Sequence, residues 1–239
     1  MPAPGEGAVA VVLPAFRAGA RIADVIERVR RASPGATVLV VDDGSDDDTA
    51  LRALSAGAAV ASHETNQGKG RALRAGLDAA LALEGMHFAV TLDADGQHPP
   101  EAIPALLAPI LAGSADLVVG ARRRDAGTMP ASRRLSNWLS SMLVSRALGV
   151  RVPDSQSGFR AMTRAVAAAV RPAGRRYEFE TEFLFQAAQH GFRIAAVDIP
   201  TVYGGATSHF RYVTDTLRLA GVFLRHWRRI IQGPGPIVA

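Results

Sequence analysis

The residues best suited to chemistry in this chain are acidic, and they stand in two groups, each closing an apolar run. In Thr91-Leu92-Asp93-Ala94-Asp95-Gly96-Gln97, two carboxylates follow such a run directly. Residues i and i+2 of an extended chain point the same way. Asp93 and Asp95 are therefore expected to converge on one hard divalent cation, Mg2+ or Mn2+, with Gln97 adding an amide oxygen and substrate phosphates filling the remaining positions. Taken alone, the segment reads equally well as an acidic turn capping the next helix, and His98 reads as a loop residue. The second group is Val40-Val41-Asp42-Asp43-Gly44-Ser45. Asp42 and Asp43, at the strand end proper, can accept hydrogen bonds from a base and a ribose, while Gly44 and Ser45 let the chain turn. Asp46 to Thr49 read as the cap and negative charge of a helix start.

The positive counterpart is Asn66-Gln67-Gly68-Lys69-Gly70-Arg71, which sets the sole lysine of the chain between two glycines just ahead of a helical pattern. Glycines admit a close backbone approach, helix N-termini favour anions, and Lys69 adds a mobile point charge suited to a diphosphate. The run lacks the glycine spacing and the Ser or Thr of a Walker A loop. Leu13-Pro14-Ala15-Phe16 occupies the turn where a dinucleotide-binding domain carries Gly-x-Gly-x-x-Gly, which argues against a dehydrogenase.

Positioning these groups requires strands and helices in alternation. Ala8 to Leu13, Thr37 to Val41, Phe88 to Leu92 and Asp116 to Gly120 are short apolar runs that fit strands buried on both faces, with a weaker candidate at Ala58 to Ser62. Ile22, Val25, Ile26 and Val29 mark one face of a helix, and further helices are expected over Ala72 to Leu83, Pro100 to Ile110, Ala131 to Leu148 and Glu178 to His190. The fold class is α/β, an open, mostly parallel Rossmann-like sheet flanked by helices, whose ligands bind beyond the carboxyl ends of the strands. The chain reads as one continuous domain, with a half over 8–125 that carries the acidic groups and Lys69, a second half over 126–210 and a basic amphipathic helix over 211–231. That last helix suits either an anionic membrane interface or packing on the sheet or in a dimer.

Composition narrows the classes. With 48% hydrophobic and 21% charged residues the chain can bury a core and is no disordered segment. The absence of cysteine excludes disulfides, thiolate metal sites and thiol catalysis. The longest uncharged stretch, Ala102 to Ala115, is shorter than the roughly 18 residues of a membrane span, and no signal peptide is read at the N-terminus. A cytoplasmic protein is expected, with a peripheral place at the inner membrane face as an option. The net charge of +5 is dispersed and aromatic residues make up only 6%, so nucleic acid is not an expected partner.

Leu13-Pro14-Ala15-Phe16, Asp42-Asp43-Gly44-Ser45 and Asp93-Ala94-Asp95, in that order and spacing, resemble the family 2 glycosyltransferases of the GT-A fold. Within that family the chain is similar to the dolichol- or polyprenyl-phosphate mannosyltransferase type. The segments that carry this are Asn66-Gln67-Gly68-Lys69-Gly70, Asp93 to Glu101, Val119-Gly120-Ala121-Arg122 and Asp154-Ser155-Gln156-Ser157-Gly158-Phe159-Arg160. The resemblance spans residues 8 to 210 and departs at Arg17-Ala18, where relatives commonly carry Asn-Glu, and near Thr207 to Arg211, where they often carry a Ser-Lys pair. It implies inverting, metal-dependent transfer of mannose or glucose from GDP-mannose or UDP-glucose to polyprenyl or dolichyl phosphate. It further implies that Pro14, Ala15, Phe16, Asp42, Asp43, Ser45, Lys69, Asp93, Ala94 and Asp95 hold the donor, and that Asp93, Asp95 and Gln97 hold the metal. Asp95, Arg122, Asp154, Arg160 and Glu180 would serve catalysis, and Ser157, Arg160, His209 and Arg211 would meet the acceptor. A lipid phosphate needs no general base; a hydroxyl acceptor does, and Asp154, Glu180 and Glu182 are the candidates, with Glu178 read as solvated. Two alternatives stand beside this: the same donor chemistry on a sugar or other hydroxyl, and a non-catalytic basic protein that binds lipid or nucleic acid.

Overall fold

A computed structural model of the chain describes residues 8–122, 131–174, 178–200 and Gly221, with side chains from residue 140 onward in the second segment. Seven strands form one sheet: β1 (Val9–Ala15), β2 (Thr37–Asp42), β3 (Ala59–Ser62), β4 (Phe88–Thr91), β5 (Leu117–Arg122), β6 (Arg160–Thr163) and β7 (Ile194–Ile199). The helices are α1 (Gly19–Ala32), α2 (Thr49–Ser55), α3 (Lys69–Leu81), α4 (Ile103–Leu111), α5 (Ala131–Leu148), α6 (Arg164–Ala169) and α7 (Glu178–Gln189), with a 3-10 turn at Pro100–Ala102 leading into α4. Gly221 is helical. The rest of the amphipathic helix expected over 211–231, with His209 and Arg211, lies outside the described residues.

The strand order is β3-β2-β1-β4-β6-β5-β7. Every pairing is parallel except the two made by β6, which runs antiparallel to β4 and β5. β1 is buried along its whole length because both of its faces are covered. Val9, Val11 and Leu13 pack with Ile22, Val25, Ile26 and Val29 of α1 and with α4 on one side. Ala10 and Val12 pack with Leu73 and Leu77 of α3 and with α6 and α7 on the other. This is the continuous apolar run of a two-sided sheet rather than alternation. α3 lies so close that a Cβ on Gly76 would sit 2.3 Å from Val12 Cγ1.

The one reversed strand is what assembles the site. β1, β2, β4 and β5 all end on the same edge, and the chain winds away from β1 in both directions, leaving a crevice at the switch point beside β4. Because β6 runs the other way, its first residue, Arg160, pairs with Thr91 near the end of β4 and with Val119 of β5. The preceding loop, 153–159, is thereby laid along the carboxyl edge. Two bonds pin it there: Thr91 Oγ1 donates to the Gly158 carbonyl (2.7 Å) and the Gly120 amide to the Phe159 carbonyl (2.8 Å).

Candidate active site

At the end of β2 the acids are spent on the fold. Asp42 is buried and accepts from the Ser45 amide (3.3 Å) and hydroxyl. Ser45 Oγ in turn accepts from the Arg17 amide (2.9 Å), and the Arg17 guanidinium pairs with Asp46, so the loops after β1 and β2 are tied together. Asp43, 3% exposed, accepts from the Gln67 amide (2.9 Å) and the Gly68 amide (2.8 Å) and lies 2.7 Å from His63 Nδ1. The oxygens of these two carboxylates thus set the loop after β2 and the one that launches α3. Gly44, at φ +71°, leaves no room for a Cβ, which would fall 2.6 Å from the Thr65 carbonyl carbon. Asp47 accepts from the Thr49 and Gly19 amides, satisfying free N–H groups at two helix starts. Pro14 and Ala15 are buried within β1, whereas Phe16, just beyond it, is 44% exposed, with the Arg17 guanidinium over its ring 5.1 Å from the centroid.

Lys69, the first residue of α3, reaches from that loop to the acids beyond β4. Its Nζ lies 2.8 and 3.0 Å from the two oxygens of Asp93 and 2.9 Å from Glu180 Oε1. Burial opposes the charge on Lys69, but Asp93 and Glu180 outweigh it and raise its pKa. Burial likewise pushes the Asp93 carboxyl up, and Lys69, helped by His98 and Arg122, holds it below the ordinary range. Asp93 Oδ1 is buried without a well-directed hydrogen bond despite the nearby ammonium, and Glu180 Oε2 is buried with none. Gly158 makes this cluster possible: a Cβ there would lie 2.7 Å from Lys69 Nζ and 2.8 Å from Asp93 Oδ1.

Around this cluster stand Arg122 and His98. Arg122, closing β5, makes a two-pronged pair with Asp154 (2.6 and 3.2 Å), and Asp154, with Asp93 and Asp95 behind it, raises the guanidinium pKa against the pull of burial. Asp154 is thus the partner that orients an arginine. His98 lies in the loop after β4, as expected, yet it is 3% exposed, packs on Phe159 with ring centroids 5.6 Å apart, and carries no hydrogen bond on either ring nitrogen. Burial pushes its pKa down, against the opposing pull of Asp93. Arg160 was expected to meet substrate, but it is 3% exposed and donates to the carbonyls of Ser157, Ser155 and Glu180. Burial pulls its pKa down to about 10. It braces the 153–159 loop from below. Ser157 is likewise fully buried, its Oγ accepting from the Phe159 amide. Glu178, read as solvated, is buried with Glu180 and Glu182 in the first turns of α7, and Glu182 accepts from the Ala173 and Gly174 amides.

The fit to a divalent cation rests on chemistry more than on the extended geometry expected. β4 ends at Thr91, and Asp95 sits in a turn before Gly96 (φ +74°), its Oδ1 accepting from the Gln97 amide at 2.9 Å. Asp93 and Asp95 nevertheless act together on Arg122 and His98, and their hard oxygens suit Mg2+ or Mn2+. Ala94 between them is buried. Among the described residues no three acidic or histidine side chains form a cage, so diphosphate oxygens and water would complete the coordination.

Residues 10–171, more than half of the chain, match the model of the family described as glycosyl transferase family 2. The chain belongs to that family. The undecaprenyl-phosphate mannosyltransferase of Micrococcus luteus is 33% identical over 205 residues, covering 81% of this chain and 83% of that one. Among solved structures, glucosyl-3-phosphoglycerate synthase from Mycobacterium tuberculosis in complex with UDP superposes with a TM-score of 0.73 at 26% identity, covering 91% of this chain and 79% of that one. The same synthase with Mn2+, UDP and phosphoglyceric acid gives a TM-score of 0.70 at 25% identity, covering 95% and 79%. The protein is therefore a family 2 glycosyltransferase with the GT-A-like α/β fold, and the reading as a non-catalytic binder is set aside. Two features of this glycosyltransferase carried no usable signal in its sequence. The clearance at Gly158 depends on Lys69, which is remote in the chain, and the burial of His98 depends on Phe159 of the reversed strand's loop.

Proposed function

We propose that this glycosyltransferase moves a hexose, with inversion, from a nucleoside diphosphate sugar such as UDP-glucose or GDP-mannose, using Mg2+ or Mn2+ held by Asp93, Asp95 and Gln97. The observation that carries this is the cluster at the carboxyl edge, where two carboxylates share one mobile ammonium beside Asp95 and Arg122. A metal diphosphate is the complementary charge pattern. When bound, the cation supplies Lewis-acid stabilisation of the leaving diphosphate. Lys69 and Arg122 add positive charge where negative charge develops, Asp154 keeps Arg122 aimed, and Phe16 offers a face to the base. The solved complex of the synthase with Mn2+, UDP and phosphoglyceric acid supports the same assignment.

For the acceptor, that complex favours a hydroxyl on a small acidic molecule. Of the three candidate bases, Asp154 is spent on Arg122 and Glu182 on backbone amides, which leaves Glu180, with its unpartnered Oε2, to take the hydroxyl proton. A second reading, a polyprenyl phosphate collected at the membrane face, draws on the Micrococcus luteus relative. Among the described residues no helix is long and apolar enough to cross a membrane. Radiolabelled donor, offered phosphoglycerate and related soluble acceptors in one arm and polyprenyl phosphate vesicles in the other, separates the two: label confined to vesicles would remove the hydroxyl reading. Label in neither arm, with the donor intact, would count against hexosyl transfer.

A further inference from the structure

Lys69 stands where a divalent cation would have to compete with it. Its ammonium is within 3.0 Å of both oxygens of Asp93, the first of the proposed metal ligands, and within 2.9 Å of Glu180. The two ends of this side chain are held differently. The backbone is fixed, because Asp43 binds the Gln67 and Gly68 amides just before it. The tip is the free end of a four-carbon stem, and the side chain as a whole is 32% exposed. The Asp93 side chain is 23% exposed.

We propose that Lys69 is an internal counter-cation that occupies Asp93 in the empty enzyme and yields it only when a nucleoside diphosphate arrives to receive the ammonium, so that metal and nucleotide bind as a coupled pair. This rests on the metal and donor reading given above. An ammonium and a divalent cation cannot share one carboxylate at full strength, since their mutual repulsion grows as they close on it. Metal alone must displace Lys69 into water; metal with a diphosphate moves Lys69 from a carboxylate to a phosphate. The preference is therefore set by this chain's own lysine and must be reciprocal between the two ligands. Gly158 serves the same device, since any side chain there would wedge the ammonium and Asp93 apart.

The test is Mn2+ binding followed by electron paramagnetic resonance of the free ion, with and without UDP or GDP, in wild type, Lys69→Met and Lys69→Gln, the last retaining a polar group should the methionine variant not fold. Wild type is expected to bind Mn2+ weakly alone and at least about 10-fold more tightly with the diphosphate. The neutral variants should bind Mn2+ alone about 10-fold more tightly than wild type and lose most of the coupling. Lys69→Arg should restore the wild-type pattern. Unchanged Mn2+ affinity without nucleotide in folded Lys69→Met or Lys69→Gln, with ternary binding intact, overturns this inference alone. Failure of wild type to bind Mn2+ even with both diphosphates overturns the metal assignment, and this inference with it.

Discussion

Asp43, at the end of β2, accepts from two backbone amides and pairs with His63, whereas Asp93, beyond β4, faces an ammonium on a flexible stem and keeps a buried oxygen without a well-directed hydrogen bond. Both are acids at the carboxyl ends of the two parallel strands that flank β1, and both are largely withdrawn from water. What separates them is whether the partner can leave. An amide fixed in the main chain holds Asp43 in place, whereas the partner of Asp93 is a side-chain tip that can move, as the proposed metal role of Asp93 requires. Perturbed charge at a site becomes informative once the replaceability of its partners is known.

The comparison breaks most sharply at Asp95. Asp95→Asn keeps an oxygen for the Gln97 amide but removes a negative ligand, so turnover in a donor-consumption assay is expected to fall about 10³-fold with an unchanged unfolding midpoint. A loss of only a few fold would remove Asp95 from the metal site. Gly158→Ala comes next. The added Cβ meets only the ends of Lys69 and Asp93, which can move aside, so thermal unfolding should barely change while turnover drops about 10²-fold through misplacement of the pair. An equal loss of stability and activity would instead make Gly158 a packing residue.

At Asp43 the opposite pattern is expected. Asp43→Asn turns one acceptor into a donor against the Gln67 or Gly68 amide, costing about 2 kcal/mol in urea unfolding. Donor affinity would fall only as a consequence of the loosened α3 loop. The smallest effect belongs to a control outside both clusters, the pair of Asp116 with Arg193. Because the Arg193 hydrogen bond holds Asp116 below the ordinary carboxylate pKa, its contribution is present above about pH 4 and is lost as pH falls through the folded value. The pair is partly exposed, so Asp116→Asn should cost no more than about 1 kcal/mol at pH 7. The difference from wild type should shrink as pH falls through the folded pKa of Asp116.

Much of the α/β scaffold could be read from periodicity. The strands at Val9–Ala15, Thr37–Asp42, Phe88–Thr91 and Leu117–Arg122 lie within two residues of the apolar runs, and α1 presents the face marked by Ile22, Val25, Ile26 and Val29. Of the short helices, Thr49–Ser55 was legible only by its start at Asp46 to Thr49, and Arg164–Ala169 was not legible, since neither spans two full turns of pattern. The direction of β6 was hidden as well, because a four-residue strand reads the same in either sense. Of the site, the acids and the lysine stood out by type. Their division of labour did not: Asp42, Asp43, Arg160 and Ser157 looked as chemical as Asp93 and Lys69 until their partners were known.

The sequence by itself determined which groups this glycosyltransferase has to work with and that strand ends would carry them, because apolar runs and turn residues act over a few neighbours. Only the tertiary structure decided which of those groups are free to act. Hydrogen bonds to Asp43 come from residues 24 and 25 positions away and those to Arg160 from as far as 20, while Lys69 finds Asp93 across 24. Long-range pairing of this kind is set by the order and direction of strands in the sheet, and no local pattern encodes it.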